Sequence, residues 1–90
     1  MIFLPSYTTQ FQKDLKLQKK RKKDLNKLKE VMSRLIDGVQ LVSKYKDHKL
    51  TGNYKNRREC HIEPDWLLIY KLDGNTILFE RTGTHSDLFD

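Results

Sequence analysis

Hydrophobic positions along the chain follow two rhythms. From Leu25 to Ile36, the residues Leu25, Leu28, Val31, Met32, Leu35 and Ile36 recur at i, i+3, i+4 and i+7, the spacing that lines one face of an α-helix. Asp24 stands where an N-cap belongs and Gly38 where a helix ends, so both limits of the segment are marked. An earlier segment opens on Thr9-x-x-Gln12, a capping box, and places Phe11 and Leu15 on one face before it runs into the basic stretch 19–23. Two helices joined by a short basic turn predict a helical hairpin. Before them, Ile2-Phe3-Leu4 is halted by Pro5 and reads as an edge strand.

After Gly38 the helical spacing is lost. Residues 39–51 are polar and irregular, a predicted loop carrying Asp47-His48. Gly52-Asn53 marks a turn, Tyr54 to Ile62 is a strand of mixed character, and Glu63-Pro64-Asp65 is a bend. Trp66 to Leu72 is an apolar strand that pairs with Ile77 to Thr82 through a two-residue loop, either Asp73-Gly74 or Gly74-Asn75. Side chains alternate faces along a strand, so either loop puts Arg81 on the face of Trp66, Leu68 and Tyr70. The predicted class is α+β: an N-terminal helical hairpin packed on a small, largely antiparallel four-stranded sheet, with residues 1–90 as one domain.

Size and charge narrow what such a fold can do. A domain of 90 residues buries roughly 60% of its unfolded surface, which favours a shallow groove over a deep cavity. The net charge of +6 is unevenly placed. Residues 13–34 hold ten Lys/Arg against three acids, or +7; the remainder holds eight against nine, or −1. A block of that kind suits a polyanion or an acidic protein partner, whereas one isolated lysine is ordinary surface. The lone Cys60 has no disulfide partner in the chain. The longest uninterrupted apolar run, Trp66 to Tyr70, is too short to span a bilayer, and nothing resembles a signal peptide, so a cytoplasmic protein without a membrane role is expected.

Candidate chemistry gathers at the ends of the predicted hairpin. His61 and Asp65 precede its first strand, Arg81 ends its second, and His85 follows four residues later. Singly, each has a plainer use: a surface histidine, a turn aspartate, a salt-bridge arginine, and for Trp66 a place in the core. Together with His48 they supply groups that move protons near neutrality and a guanidinium suited to a phosphate. With one cysteine, and with Pro64 breaking the only His–Asp pair at i, i+4, a zinc site is poorly supported; no cofactor motif is present. RNA needs no metal to be cut, because its 2′-hydroxyl is the nucleophile once deprotonated. An exposed aromatic, Trp66 or Phe89, would stack on a base.

The motifs Tyr45-Lys-Asp-His48-x-Leu50-x-Gly52, His61-x-Glu63-Pro64-Asp65-Trp66-x-Leu68-Ile69-Tyr70-Lys71-Leu72 and Phe79-Glu-Arg81-Thr-Gly-Thr-His85-x-x-Leu88-Phe89 resemble the YafQ branch of the RelE toxin superfamily, ribosome-dependent mRNA endonucleases of bacterial toxin–antitoxin pairs. The basic stretch Lys20-Arg21-x-Lys23-Asp24-x-Asn26-Lys27-Leu28 also fits, so the resemblance covers nearly the whole chain. It implies catalytic roles for His48, His61, Asp65, Arg81 and His85, and substrate placement by Trp66, Phe89, Lys20 and Arg21. It implies metal-independent cleavage of mRNA in the ribosomal A site, contact with ribosomal RNA, and neutralisation by a cognate antitoxin, through which alone operator DNA is bound. His85 is expected as general acid, Asp65 or His61 as general base. Two other functions stand as alternatives: a non-enzymatic inhibitor on the same fold, which the resemblance to the gyrase-poisoning relatives implies and the histidine and Arg81 constellation opposes, and a basic RNA-binding module.

Overall fold

The computed structural model of the chain describes residues 2–89 (for Asn53, the backbone alone). Five strands form one sheet in the order β1-β5-β4-β3-β2, with β1 Leu4–Tyr7, β2 His48–Lys49, β3 Arg58–Glu63, β4 Trp66–Asp73 and β5 Thr76–Gly83. Three helices complete the fold: α1 Thr9–Lys20, α2 Leu25–Ile36 and α3 His85–Phe89. The sheet is antiparallel except where β1 joins β5 in parallel. Pro5 is tolerated because β1 is an edge strand with one side unpaired. No helix among the described residues is long and apolar enough to cross a membrane.

The amphipathic segment becomes α2 with both predicted limits. Asp24 accepts a hydrogen bond from the Asn26 amide, and Gly38 takes φ +73° while its amide reaches Leu35 and that of Val39 reaches Arg34. That pair of bonds is a Schellman ending, open to glycine because an L side chain is strained at this φ. The first helix starts one residue earlier than its predicted box. Thr8, not Thr9, is the N-cap, its Oγ1 accepting from the Phe11 amide.

Two features of the predicted fold are corrected. The sheet has five strands rather than four, since the segment read as a loop contributes β2. The helices do not pack on the sheet as one hairpin: α1 lies along β5 and α2 over β3. Between them and the sheet lies the main core of Phe11, Leu28, Val31, Leu35, Trp66, Leu68, Tyr70, Ile77 and Phe79, joined by Cys60 and Ile62. Full burial of such side chains is worth about 1.5–3 kcal/mol each. A smaller cluster, Leu67, Ile69 and Leu88 with Leu50 and Tyr54 against it, lies on the other face under α3.

The hairpin loop is Gly74-Asn75, with Asp73 opposite Thr76 and Tyr70 opposite Phe79. Then the register slips: Ile69 faces Arg81, leaving Glu80 as an extra residue. This β-bulge overturns the predicted facing of Arg81, which shares the side of Ile69 and Leu67 rather than that of Trp66, Leu68 and Tyr70. The bulge is held from outside the hairpin. Thr8 Oγ1 donates to the Glu80 carbonyl at 2.8 Å, and the Glu80 carboxylate accepts from Arg57 Nε at 2.9 Å.

Candidate active site

The face that α1 and α2 leave uncovered gathers the predicted chemistry. His48 pairs with Glu59, Glu59 with Ile69 and Ile69 with Arg81, so one row across β2, β3, β4 and β5 puts His48, Glu59 and Arg81 on the same face. His61, opposite Leu67, shares it. The imidazoles form a line: ring centres are 6.3 Å apart for His48 and His61, and 5.9 Å for His61 and His85. Phe89 extends the line, 6.3 Å from His85, and Tyr54 meets Phe89 edge-on at 5.5 Å.

Each imidazole is held at more than one point. His85 Nδ1 donates to Asp65 Oδ1 at 2.6 Å, and the His85 amide donates to the same oxygen at 2.9 Å. These two donors, the amide first, hold the Asp65 carboxyl below the usual carboxylate range. Asp65 is therefore ionised at neutral pH and fixes the ring through Nδ1, with Nε2 on the side of the ring away from that contact. Behind His48 and His61 lies a buried carboxylate, Glu59, 3.4 Å from His48 Nε2 and 3.5 Å from His61 Nε2. The opposite ring nitrogens face backbone carbonyls, Lys46 at 2.6 Å and Pro64 at 3.3 Å.

The short helix that presents His85 is anchored by charge. Thr84 and Asp87 exchange hydrogen bonds, side chain to amide in both directions. A Cβ on Gly83 would come within 2.7 Å of the Asp87 carboxylate, so a side chain there would open this cap. Arg21 then grips Asp87 with two bonds of 2.6 and 3.0 Å and holds its carboxyl far below the usual range. Nearby, Lys23 and Lys27 both reach Glu63 at 3.1 Å, and Lys27 then Lys23 lower its pKa. The basic connector between α1 and α2 therefore borders the site, joined to it by ion pairs.

Arg81 is on the same open face but not free. Its Nε donates to Asp14 Oδ2 at 2.9 Å and its Nη2 to Asp14 Oδ1 at 3.3 Å. Asp14 also accepts the Thr82 amide at 3.1 Å, just past the point where β1 stops at Phe79 and leaves β5 unpaired. Asp14 first, with Tyr54 adding to it, raises the guanidinium pKa further, so its charge is permanent.

Not every predicted contact residue is available. Trp66 is fully enclosed in the main core, with Nε1 donating to Thr82 Oγ1 at 3.0 Å, and cannot stack on a base; that prediction is withdrawn. Phe89 is 45% exposed and can. Arg21 is committed to Asp87, a support for α3 rather than a free cation, whereas Lys20 stays exposed at the end of α1. The sequence reading missed Glu59, Tyr54 and Asp14. Glu59 had a signal, since an acid at i−2 from His61 in a strand must share its face. Among the described residues, no group of three or more His, Cys, Asp or Glu is arranged to hold a metal ion.

Comparison with known proteins places this geometry. The family model described as "Bacterial toxin of type II toxin-antitoxin system, YafQ" matches residues 4–90. The mRNA interferase toxin YafQ of Escherichia coli K12 is 54% identical over 84 residues, covering 92% of this chain and 91% of its own. The crystal structure of the E. coli DinJ–YafQ complex superposes with a TM-score of 0.92 at 50% identity, covering 98% of this chain and 99% of that one. A metal-bound toxin from Helicobacter pylori does so with a TM-score of 0.90 at 42% identity, covering 99% and 100%. With identity sustained from β1 to the end of α3, and the row of imidazoles on the open side of the same sheet, the chain belongs to the YafQ family of toxins of bacterial type II toxin–antitoxin systems.

Proposed function

We propose that this YafQ-family toxin, an endoribonuclease of the mRNA interferase kind, cuts translated message on the ribosome without a metal ion, by attack of the 2′-hydroxyl on the adjacent phosphate. The observation that supports it best is the line His48–His61–His85 on the face that also holds Arg81, with Asp65 fixed on His85. His61 takes the 2′-hydroxyl proton, with the buried Glu59 carboxylate 3.5 Å from its Nε2. The 2′-oxygen bonds to phosphorus, the bond to the 5′-oxygen breaks, and His85 Nε2 delivers its proton to that leaving oxygen. Arg81 answers the charge that builds on the phosphate. The product ends are a 2′,3′-cyclic phosphate, or the 3′-phosphate left by its hydrolysis, and a 5′-hydroxyl.

His48 completes the pair around Glu59 and steadies His61. Phe89 stacks on a base beside the cut. Lys20 stands at the rim of the site, where ribosomal RNA or the message passes. Because DinJ is solved in complex with the E. coli relative, a cognate antitoxin is the expected protein partner, and operator DNA is bound only through it. The compartment that fits these partners is the cytoplasm.

Purified toxin added to ribosomes translating a defined message tests this reading. The message should be cut to the ends named above, also in the presence of a transition-metal chelator that leaves ribosomal magnesium in place. Prior mixing with antitoxin should abolish the cut. Intact message beside an inhibited gyrase would favour the non-enzymatic inhibitor, and cutting that stops on chelation would remove the metal-free mechanism.

A further inference from the structure

Beyond the histidine line, the ends of β2, β3 and β4 remote from His61 border a cleft of about 600 Å³. Five cations line it, Lys49, Lys55, Arg57, Arg58 and Lys71, and no acidic residue does. The two arginines are already paired, Arg57 with Glu80 and Arg58 with Asp47. Among the described residues, none of the three lysines has a carboxylate partner, so this small surface holds three uncompensated charges. A folded protein keeps such a cluster at a cost in self-repulsion, which a bound polyanion relieves.

The register says where the cleft lies. The Leu50 amide bonds to the Arg57 carbonyl, continuing the ladder His48–Glu59 and Lys49–Arg58. Leu50 and Arg57 are therefore two residues beyond the His48–Glu59 pair and on its face, as Lys71 is two beyond Ile69, while the intervening pair Lys49–Arg58 alternates to the other side, so the cleft wraps around the end of the sheet. Two residues along a strand are roughly 7 Å, the scale of one nucleotide in an extended strand. Arg57 also ties the two places physically, since its partner Glu80 is the bulge residue that turns Arg81 onto this face.

We propose that this cleft holds the phosphodiester backbone of the message strand next to the scissile phosphate, with Lys49, Lys55 and Lys71 as its phosphate contacts. The assignment rests on the endonuclease reading above and extends it from the cut phosphate to its neighbours. It differs from the basic block of α1 and α2, whose connector borders the site through Arg21 and Lys23.

The test compares the whole toxin with its Lys49→Ala/Lys55→Ala/Lys71→Ala variant and with the matching triple Lys→Arg variant. Binding to a 12-nucleotide 2′-O-methyl RNA, which has no free 2′-hydroxyl, is measured over a range of salt. Three lost phosphate contacts should lower the slope of log affinity against log salt by about 2, since each contact to a single strand contributes about 0.7. The triple arginine variant should keep the slope. On ribosomes translating a message, the alanine variant should raise KM by about ten-fold with kcat little changed, as expected for contacts that bind without reacting. Unaltered slope and KM would overturn the proposal. So would RNA binding like wild type with lost affinity for antitoxin, which would make the cleft a protein-docking surface. Weakened binding to vacant ribosomes with intact binding to the short RNA would overturn it too, giving the cleft to ribosomal RNA. The binding arm needs no cleavage, so a failure of the endonuclease reading is separable from a failure here.

Discussion

The two faces of the sheet use the same strands for opposite ends. On the helix side, Trp66, Leu68, Tyr70, Ile77 and Phe79 are closed against α1 and α2 with almost no exposure. On the other side, alternate residues of β3 and β5 place Glu59, His61 and Arg81, and Leu67 and Ile69 of β4 pack against Leu88 of α3. Period-two alternation thus divides stability from chemistry strand by strand. A plain ladder would have put Arg81 with the core; one inserted residue, Glu80, moves it across. The guanidinium thus reaches the site through a backbone irregularity rather than through its place in the pattern.

If that division is real, variants should sort by face. The largest effect is expected from His85→Ala: cleavage on translating ribosomes should fall by about 10²–10⁴, the usual worth of a general acid, while the melting temperature hardly moves because the ring is exposed. Loss of folding instead would place His85 among the structural residues. Next comes Trp66→Ala, which should cost about 3–5 kcal/mol in urea unfolding. A soluble, stable variant that loses only RNA binding would contradict the buried position of Trp66. Phe89→Ala should then weaken RNA binding by about 1–3 kcal/mol, the range for a stacked base, with stability nearly unchanged.

Much of this division could be read from the residues. The β4–β5 hairpin showed itself through the turn residues Asp73-Gly74-Asn75, though not which two form the loop, and the apolar run before them, and α2 through Asp24, Gly38 and its spacing. The clustering of His61, Asp65, Arg81 and His85 followed from their places at the hairpin ends. What stayed hidden depends on contacts distant in sequence. β2 has two polar residues and exists only because β3 offers it an edge. The bulge has neither Gly nor Pro to announce it; it is fixed by Thr8, 72 positions away from Glu80. The parallel pairing of β1 to β5 spans most of the chain. α3 had a readable signal in Thr84-x-x-Asp87, a capping pair at its start.

Smaller effects sharpen the same comparison. Thr8→Ala removes a helix cap and the anchor of the bulge together, so it should cost about 1 kcal/mol of stability and lower cleavage as well, whereas Thr8→Ser should retain both. Unchanged cleavage in Thr8→Ala would show that the bulge holds Arg81 without that bond. The smallest effect concerns acid. Asp87 has a folded pKa depressed by Arg21, so its contribution is complete above the unfolded value of about 3.9 and is lost as pH falls below it. Melting temperatures taken from pH 6 down to pH 2 should fall less steeply for Asp87→Asn than for the parent, with a difference at neutral pH under about 1 kcal/mol. Parallel curves would mean that the Arg21–Asp87 pair adds nothing.

The most direct test of the account replaces one atom of the substrate. Ribosomes are programmed with a message that is cut at a known position, and with the same message bearing a single 2′-deoxy residue on the 5′ side of that cut. If the open face works by turning the RNA's own hydroxyl on its phosphate, the ribose message is cut to a cyclic phosphate and the deoxy message survives at that position. Cleavage of both at similar rates would contradict it, because the attacking oxygen would then have to come from elsewhere.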